Sequence, residues 1–120
     1  GINLHLKCCD EDTKVKLDVS LFEQVLQNIV KNAVESIVAK GDIYITTSVV
    51  NNRVCLEIID TGKGISKDVE QNLFSPFFTT KPSGQGIGLM FVREILVRHH
   101  CTFSLYTGDD NLTRFKIIFP

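Results

Sequence analysis

Two asparagines, Asn28 and Asn32, stand four residues apart in the run QNIVKNAVESI, so a helix would project both carboxamides from one flank. A carboxamide oxygen is a hard, neutral ligand of the kind Mg²⁺ accepts beside water and substrate phosphates. Taken alone, the N-x-x-x-N pair is equally two solvated side chains, because asparagine is mostly exposed in folded proteins. A second group follows the apolar run ending at Ile59, in Asp60-Thr61-Gly62-Lys63-Gly64-Ile65. A carboxylate fixed at a strand end can accept a hydrogen bond from an exocyclic amine such as that of adenine, and the two glycines let backbone approach a flat ring. An isolated D-x-G-x-G is also ordinary turn chemistry.

A third group lies in FFTTKPSGQGIGL, residues 77 to 89, where Gly84, Gly86 and Gly88 alternate just ahead of a predicted helix. Unpaired N–H groups and the positive end of the helix dipole there suit a phosphate. The spacing is neither that of a Walker A loop nor the dinucleotide G-x-G-x-x-G, since position 89 is Leu. Lys81 adds a mobile positive charge upstream. Phe74, Phe77 and Phe78 either belong to the core, as at least one should, or anchor the upstream end of the segment.

These residues need a scaffold. Ile2, Leu4 and Leu6 alternate with polar or intermediate residues, and so do Val15, Leu17 and Val19, which predicts two short half-buried strands. Ser20 and Glu23 then have the form of a capping box, opening a helix whose apolar positions run from Leu21 to Ile37 and which is expected to stop at Lys40-Gly41. Tyr44 to Val50 and Val54 to Ile59 read as strands around an Asn51-Asn52 turn. Lys67 to Leu73 predicts a helical turn or two, Leu89 to Val97 a helix, and Thr102 to Tyr106 with Thr113 to Phe119 a closing hairpin. Strands in hairpin pairs with helices between them predict an α+β fold. It is a two-layer α/β sandwich, with a mixed, largely antiparallel sheet of about five strands packed on about three helices.

The 120 residues fit one domain, residues 1 to 120. Thirteen Lys and Arg against 14 Asp and Glu give a net charge of −1, which offers no basic field for nucleic acid or an anionic membrane. No apolar run approaches the roughly 20 residues that a bilayer requires. Cys8, Cys9, Cys55 and Cys101 lack C-x-x-C spacing and read as reduced, mostly buried thiols, with Cys8 and Cys9 in the first strand. His99, His100 and Cys101 are consecutive and converge poorly on one ion, so the end of a helix is the simpler reading.

Each group is weak by itself, but their order is specific. Asn28-x-x-x-Asn32, Asp60-x-Gly62-x-Gly64, Phe74-x-x-Phe77-Phe78 and Gly84-x-Gly86-x-Gly88-Leu89 closely resemble the N, G1, F and G2 boxes of sensor histidine kinases. The resemblance is to their catalytic, ATP-binding domain in the GHKL superfamily, with the Bergerat fold. It covers nearly the whole chain, and FSPFFTTK looks like the nitrogen-regulation and sporulation kinase type.

The resemblance implies roles residue by residue. Asn32 would be the principal Mg²⁺ ligand, with Asn28 assisting at metal or phosphates. Asp60 would hold the adenine amine, with Gly62, Gly64 and Ile65 shaping that wall. Phe77, Thr80, Lys81, Gly84, Gln85, Gly86, Ile87, Gly88 and Leu89 would belong to an ATP lid of about residues 71 to 88 and its junction with the next helix, with Lys81 approaching the terminal phosphate. Family members often carry a basic residue three positions after Asn32; here it is Glu35. Related ATPases and serine kinases carry a general-base glutamate where this chain has Asn28, and an amide cannot take a proton.

The implied activity is transfer of the γ-phosphoryl group of Mg-ATP to a histidine on a separate dimerisation domain, and from there to a response regulator receiver domain. None of His5, His99 and His100 has the setting of a phosphoacceptor, so the chain is expected to be one cytoplasmic, monomeric domain of a longer, homodimeric protein whose membrane anchorage the sequence leaves open. The alternatives are a GHKL ATPase or anti-sigma-type serine kinase, and a non-catalytic nucleotide-binding module.

Overall fold

The computed structural model describes residues 1–9, 13–75 and 88–120. Along the chain run β1 (Ile2–Lys7), α1 (Val19–Ser36), β2 (Gly41–Val50), β3 (Arg53–Asp60), α2 (Lys67–Glu70), α3 (Gly88–Arg98), β4 (Thr102–Thr107) and β5 (Thr113–Ile118). The strands form one sheet in the order β1-β2-β3-β5-β4. β1 lies parallel to β2, as it can when α1 supplies the long crossover, and the other pairs are antiparallel. This is the mixed α+β sandwich expected from the sequence.

Period-two alternation decides which face is covered. Phe115 and Ile117 on β5 are buried, as are Ile58 on β3 and Ile43 on β2, and all meet the buried stripe Phe22, Val25, Ile29 and Ala33 of α1 and Val92, Ile95 and Leu96 of α3. The register stacks these positions in rows. Ile45, Ile58, Phe115 and Leu105 form one, and Thr47, Leu56, Ile117 and Phe103 the next. At one end of the same face the row changes character to Ile43, Asp60, Thr113 and Thr107, with Asp60 and Thr113 buried. That polar end-row is where the candidate site begins.

Four sequence expectations are corrected. Residues 13–18 form no strand: Val15 and Leu17 pack against the core as the chain approaches α1, and Val19 is the first helical residue, well exposed. The inner edge of β1 is already paired with β2, so the alternation of Val15 and Leu17 covers the core without joining the ladder. The cap of α1 is Asp18, not Ser20, because its extended backbone lets Oδ1 accept the Leu21 N–H at 3.0 Å. The helix stops at Ser36, four residues before Lys40: Ile37 turns extended and buries its side chain, and Gly41 starts β2. Finally, the thiols are only half as buried as expected, since Cys8 is exposed and Cys9 intermediate, both beyond the end of β1.

Other expectations hold. Asn51 and Asn52 have φ of 53° and 62°, the paired left-handed conformations of a tight β2–β3 turn. Phe74 packs edge-on against Phe103 and Phe115, at 5.2 and 6.0 Å between ring centroids. α3 ends in a Schellman motif: the Cys101 N–H reaches the Leu96 carbonyl, the His100 N–H reaches Val97, and His100 takes φ of 58°.

Candidate functional site

The site is laid out along one flank of α1. Asn28, Asn32 and Ser36 follow at intervals of four residues, so they share a side of the helix and span about 12 Å from first to last. Asp60 meets this flank at the Ser36 end. Its Oδ1 accepts the Ser36 hydroxyl at 3.0 Å and the Gly62 N–H at 2.9 Å. No hydrogen bond from the described residues reaches Oδ2. Burial pushes the Asp60 carboxyl above its ordinary value, and the Gly62 and Ser36 bonds act in the opposite direction. A buried acceptor that is tied through one oxygen presents the other in a fixed direction to a donor.

The loop after Asp60 is pinned on three sides. The Lys63 N–H donates to the Ser36 carbonyl at 3.0 Å, Thr61 N–H donates to the Asp42 carbonyl, and Asp42 N–H returns to Thr61 Oγ1 at 2.9 Å. On the far side the Ile65 N–H donates to Thr107 Oγ1 at 2.8 Å, which is in turn 2.8 Å from Thr113 Oγ1. A Cβ at Gly62 would lie 2.0 Å from Ser36 Oγ and 2.7 Å from its carbonyl oxygen, so only glycine lets the loop lie against α1. Gly64 needs its φ of +82° for the turn.

At the other end of the flank, α1 meets the start of α3. Asn28 Nδ2 donates to the Gln24 carbonyl at 2.9 Å, which leaves Oδ1 directed at Gly88, where an added Cβ would lie 3.0 Å from it. Gly88 is the first residue of α3, and Leu89 packs against the core behind it. Asn32 is half-buried between the two ends, and Glu35 is exposed.

Asp60, Gly62, Gly64 and Ile65 are therefore brought together at one end, and Asn28, Gly88 and Leu89 at the other, with Asn32 between. Phe77, Thr80, Lys81, Gly84, Gln85, Gly86 and Ile87 lie outside the described residues, as does most of the expected lid. Ser36, Thr107 and Thr113 were not singled out by sequence. A serine in the last turn of a helix and threonines on strands carry no distinguishing pattern until the sheet register and the Gly62 loop bring them to Asp60 and Ile65.

Residues 17–120 match the family of histidine kinase-, DNA gyrase B- and HSP90-like ATPases. The chain belongs to this family. Within it, the chain is 31% identical to the catalytic domain of the histidine kinase ThkA in a nucleotide-free form, with a TM-score of 0.87, covering 99% of this chain and 80% of that one. It is 40% identical over 112 residues to the signal transduction histidine-protein kinase AtoS of Escherichia coli (strain K12), and 35% identical over 103 residues to sporulation kinase A of Bacillus subtilis (strain 168). Those matches cover 92% and 86% of this chain but only 18% and 17% of the two kinases, so it spans less than a fifth of their length. The chain is an ATP-binding catalytic domain of the histidine kinase type, and its two-layer architecture is the fold of that family. Among the described residues, no helix is long and apolar enough to cross a membrane.

Proposed function

We propose that the flank from Asp60 to Gly88 binds Mg-ATP and that the domain passes the γ-phosphoryl group to a histidine on a separate dimerisation domain of the same parent protein. The observation that carries this reading is Asp60: a buried carboxylate whose Oδ1 is held by Ser36 and Gly62, leaving Oδ2 for a donor such as the adenine amine. Gly62, Gly64 and Ile65 form the wall beside it, and the Ile65–Thr107–Thr113 hydrogen bonds hold that wall rigid.

The triphosphate lies towards Asn28, Asn32 and the N-terminus of α3, where Gly88 opens the helix and its first N–H groups favour anionic oxygens. The donor set suits Mg²⁺, since Asn32 offers a neutral oxygen and leaves the remaining positions to phosphate and water. The ion supplies charge neutralisation on the transferring group. Asn28 orients: its amide is locked to Gln24, and it has no carboxylate with which to take a proton from water. An imidazole nitrogen needs less help from a base than water does, so positioning and electrostatics suffice for transfer to histidine. Lys81, Phe77 and Thr80 are assigned to the lid, with Gly84, Gln85, Gly86 and Ile87 wrapping the phosphates. A response regulator receiver domain is the next acceptor, and the parent works as a homodimer.

The test is phosphotransfer from γ-labelled ATP to a separately supplied histidine-bearing dimerisation domain. Acid-labile, base-stable label on that domain, lost with Asn32→Ala, supports the reading. Release of inorganic phosphate without transfer would favour an ATPase, and failure to bind nucleotide at all would favour an interaction module.

A further inference from the structure

The two helices of the candidate site approach each other at both ends and are joined by a hydrogen bond at one of them. At one end Gly88 lies against Asn28. At the other, His99, the residue after α3, reaches the residue before α1: the Asp18 backbone N–H donates to His99 Nε2 at 3.0 Å. His99 Nδ1 lies 2.8 Å from the Ile95 carbonyl oxygen, which can only accept, so Nδ1 carries the proton and Nε2 is bare. The Phe22 ring meets the imidazole edge-on at 4.8 Å and 83°, fixing its plane.

This arrangement completes the cap of α1 from another helix. In a capping box, the residue at the third helical position returns a side-chain acceptor to the backbone N–H of the cap. In α1 that residue is Leu21, which has no acceptor to return, and His99 supplies one from the end of α3. The spacing agrees with two antiparallel helices that meet at both ends. Asp18 to Asn28 is ten residues and Gly88 to His99 is eleven, about 15 and about 16.5 Å of helix. Between the two ends lie Val25, Ile29, Val92, Ile95 and Leu96, an apolar contact that is non-directional and resists separation more than sliding.

We propose that His99 is a positioning residue for the nucleotide: by closing the cap of α1 from the end of α3 it sets the axial register of the two helices, and with it the placement of Gly88 against Asn28. The inference rests on reading the Asn28–Gly88 end as the phosphate end of the ATP site. A shift of α3 matters there, because Gly88 approaches Asn28 so closely that even a Cβ on it would lie 3.0 Å from Oδ1.

The test compares His99→Phe, which keeps a ring against Phe22 but removes the acceptor, with His99→Gln, which places an amide oxygen where Nε2 stood. Cys55→Ala is the control, since Cys55 is buried on the opposite face of the sheet and destabilises without touching α1 or α3. The readouts are the dissociation constant for a non-hydrolysable ATP analogue, the melting temperature and the Asn28 side-chain amide signals. His99→Phe is expected to weaken nucleotide binding about tenfold, as small misplacements of positioning groups do, and to move the Asn28 signals. His99→Gln should largely restore both, and Cys55→Ala should lower the melting temperature with affinity and Asn28 signals intact. Unchanged affinity and unchanged Asn28 signals in His99→Phe overturn the proposal, as does an equal loss of affinity in Cys55→Ala. If wild type itself binds no nucleotide, the ATP-site reading fails while the Asn28 signals still decide the register. Should His99→Phe not fold, nitrogen NMR of the wild type decides: an Nε2–H tautomer, or fast exchange of the Asp18 amide, overturns the proposal.

Discussion

Asp60→Asn should separate binding from stability, because the carboxylate does two jobs through two different oxygens. Asparagine keeps one acceptor, and the Gly62 N–H, which can only donate, requires that acceptor at the Oδ1 position. The amide nitrogen is thereby forced to the Oδ2 position, where it presents a donor to the nucleotide's donor. Loss of a hydrogen bond to a charged acceptor is worth about 2–3 kcal/mol, so nucleotide affinity should fall about 30- to 150-fold. Stability should move the other way or not at all. Burial raises the Asp60 pKa in the folded state, so its contribution to stability is fully present below the unfolded carboxylate value near 3.8 and is lost as pH rises through the folded value. At neutral pH the ionised group costs stability, and the neutral amide removes that cost. Calorimetric titration with a non-hydrolysable ATP analogue and denaturant unfolding at pH 7 and pH 4 read both effects. The variant should be at least as stable as wild type at pH 7, with the advantage shrinking towards pH 4. Wild-type affinity in the variant, or a loss of more than about 2 kcal/mol of stability at pH 7 on the scale of a buried network broken, would refute the reasoning.

Gly62→Ala should cost about 1–3 kcal/mol, the range for forcing atoms into a packed site, and abolish nucleotide binding, because the new methyl would displace the loop from Ser36; chemical denaturation and calorimetry check it. His100→Gly should stabilise the domain by about 1 kcal/mol, since a left-handed residue at the end of α3 loses its Cβ penalty, read as a rise in melting temperature with unchanged affinity. Asp18→Ala should cost about 1 kcal/mol through the lost cap on Leu21, measured by urea unfolding. Asn32→Ala should erase the Mg²⁺ dependence of nucleotide binding; titration with and without Mg²⁺ decides.

Periodicity made most of the scaffold legible. β5 reads Thr113, Phe115, Ile117 at strict alternation, continued by Phe119 just past its end, and every one is buried, while the α1 stripe repeats at three and four residues, so strand and helix declare themselves. Alternation misled where it served packing without pairing, at Val15 and Leu17, and at β1, which pairs with β2 but leaves Ile2, Leu4 and Leu6 exposed instead of half-buried. A capping motif misled where two residues competed: Ser20-x-x-Glu23 has the right form, but Asp18 is reached first and is the better cap. The candidate site was proposed from sequence where chemistry demands a residue type, as at Asp60, Gly62 and the two asparagines. It was not where a role is conferred by register alone. Ser36 matters because Gly62 abuts it, Thr107 because β4 pairs with β5 so as to set it beside Thr113 and under Ile65, and His99 because α3 ends next to the start of α1.

Those silent residues share one feature: each joins elements that are distant in sequence at the boundary of the nucleotide flank. Ser36 joins α1 to the loop after β3, Thr107 joins β4 to that loop, and His99 joins α3 to α1. The residues assigned to ligand contact, by contrast, are supplied by single segments. Such a division suits a domain that lacks a proton acceptor at position 28. On the proposed function, with no general base to place, rate depends on holding the nucleotide still relative to an imidazole brought from elsewhere, and the tolerance of that geometry is set by the joints rather than by the contacting groups. The cost of loosening a joint should therefore appear in transfer to histidine as well as in nucleotide affinity, whereas removing a contact to the base should appear chiefly in affinity.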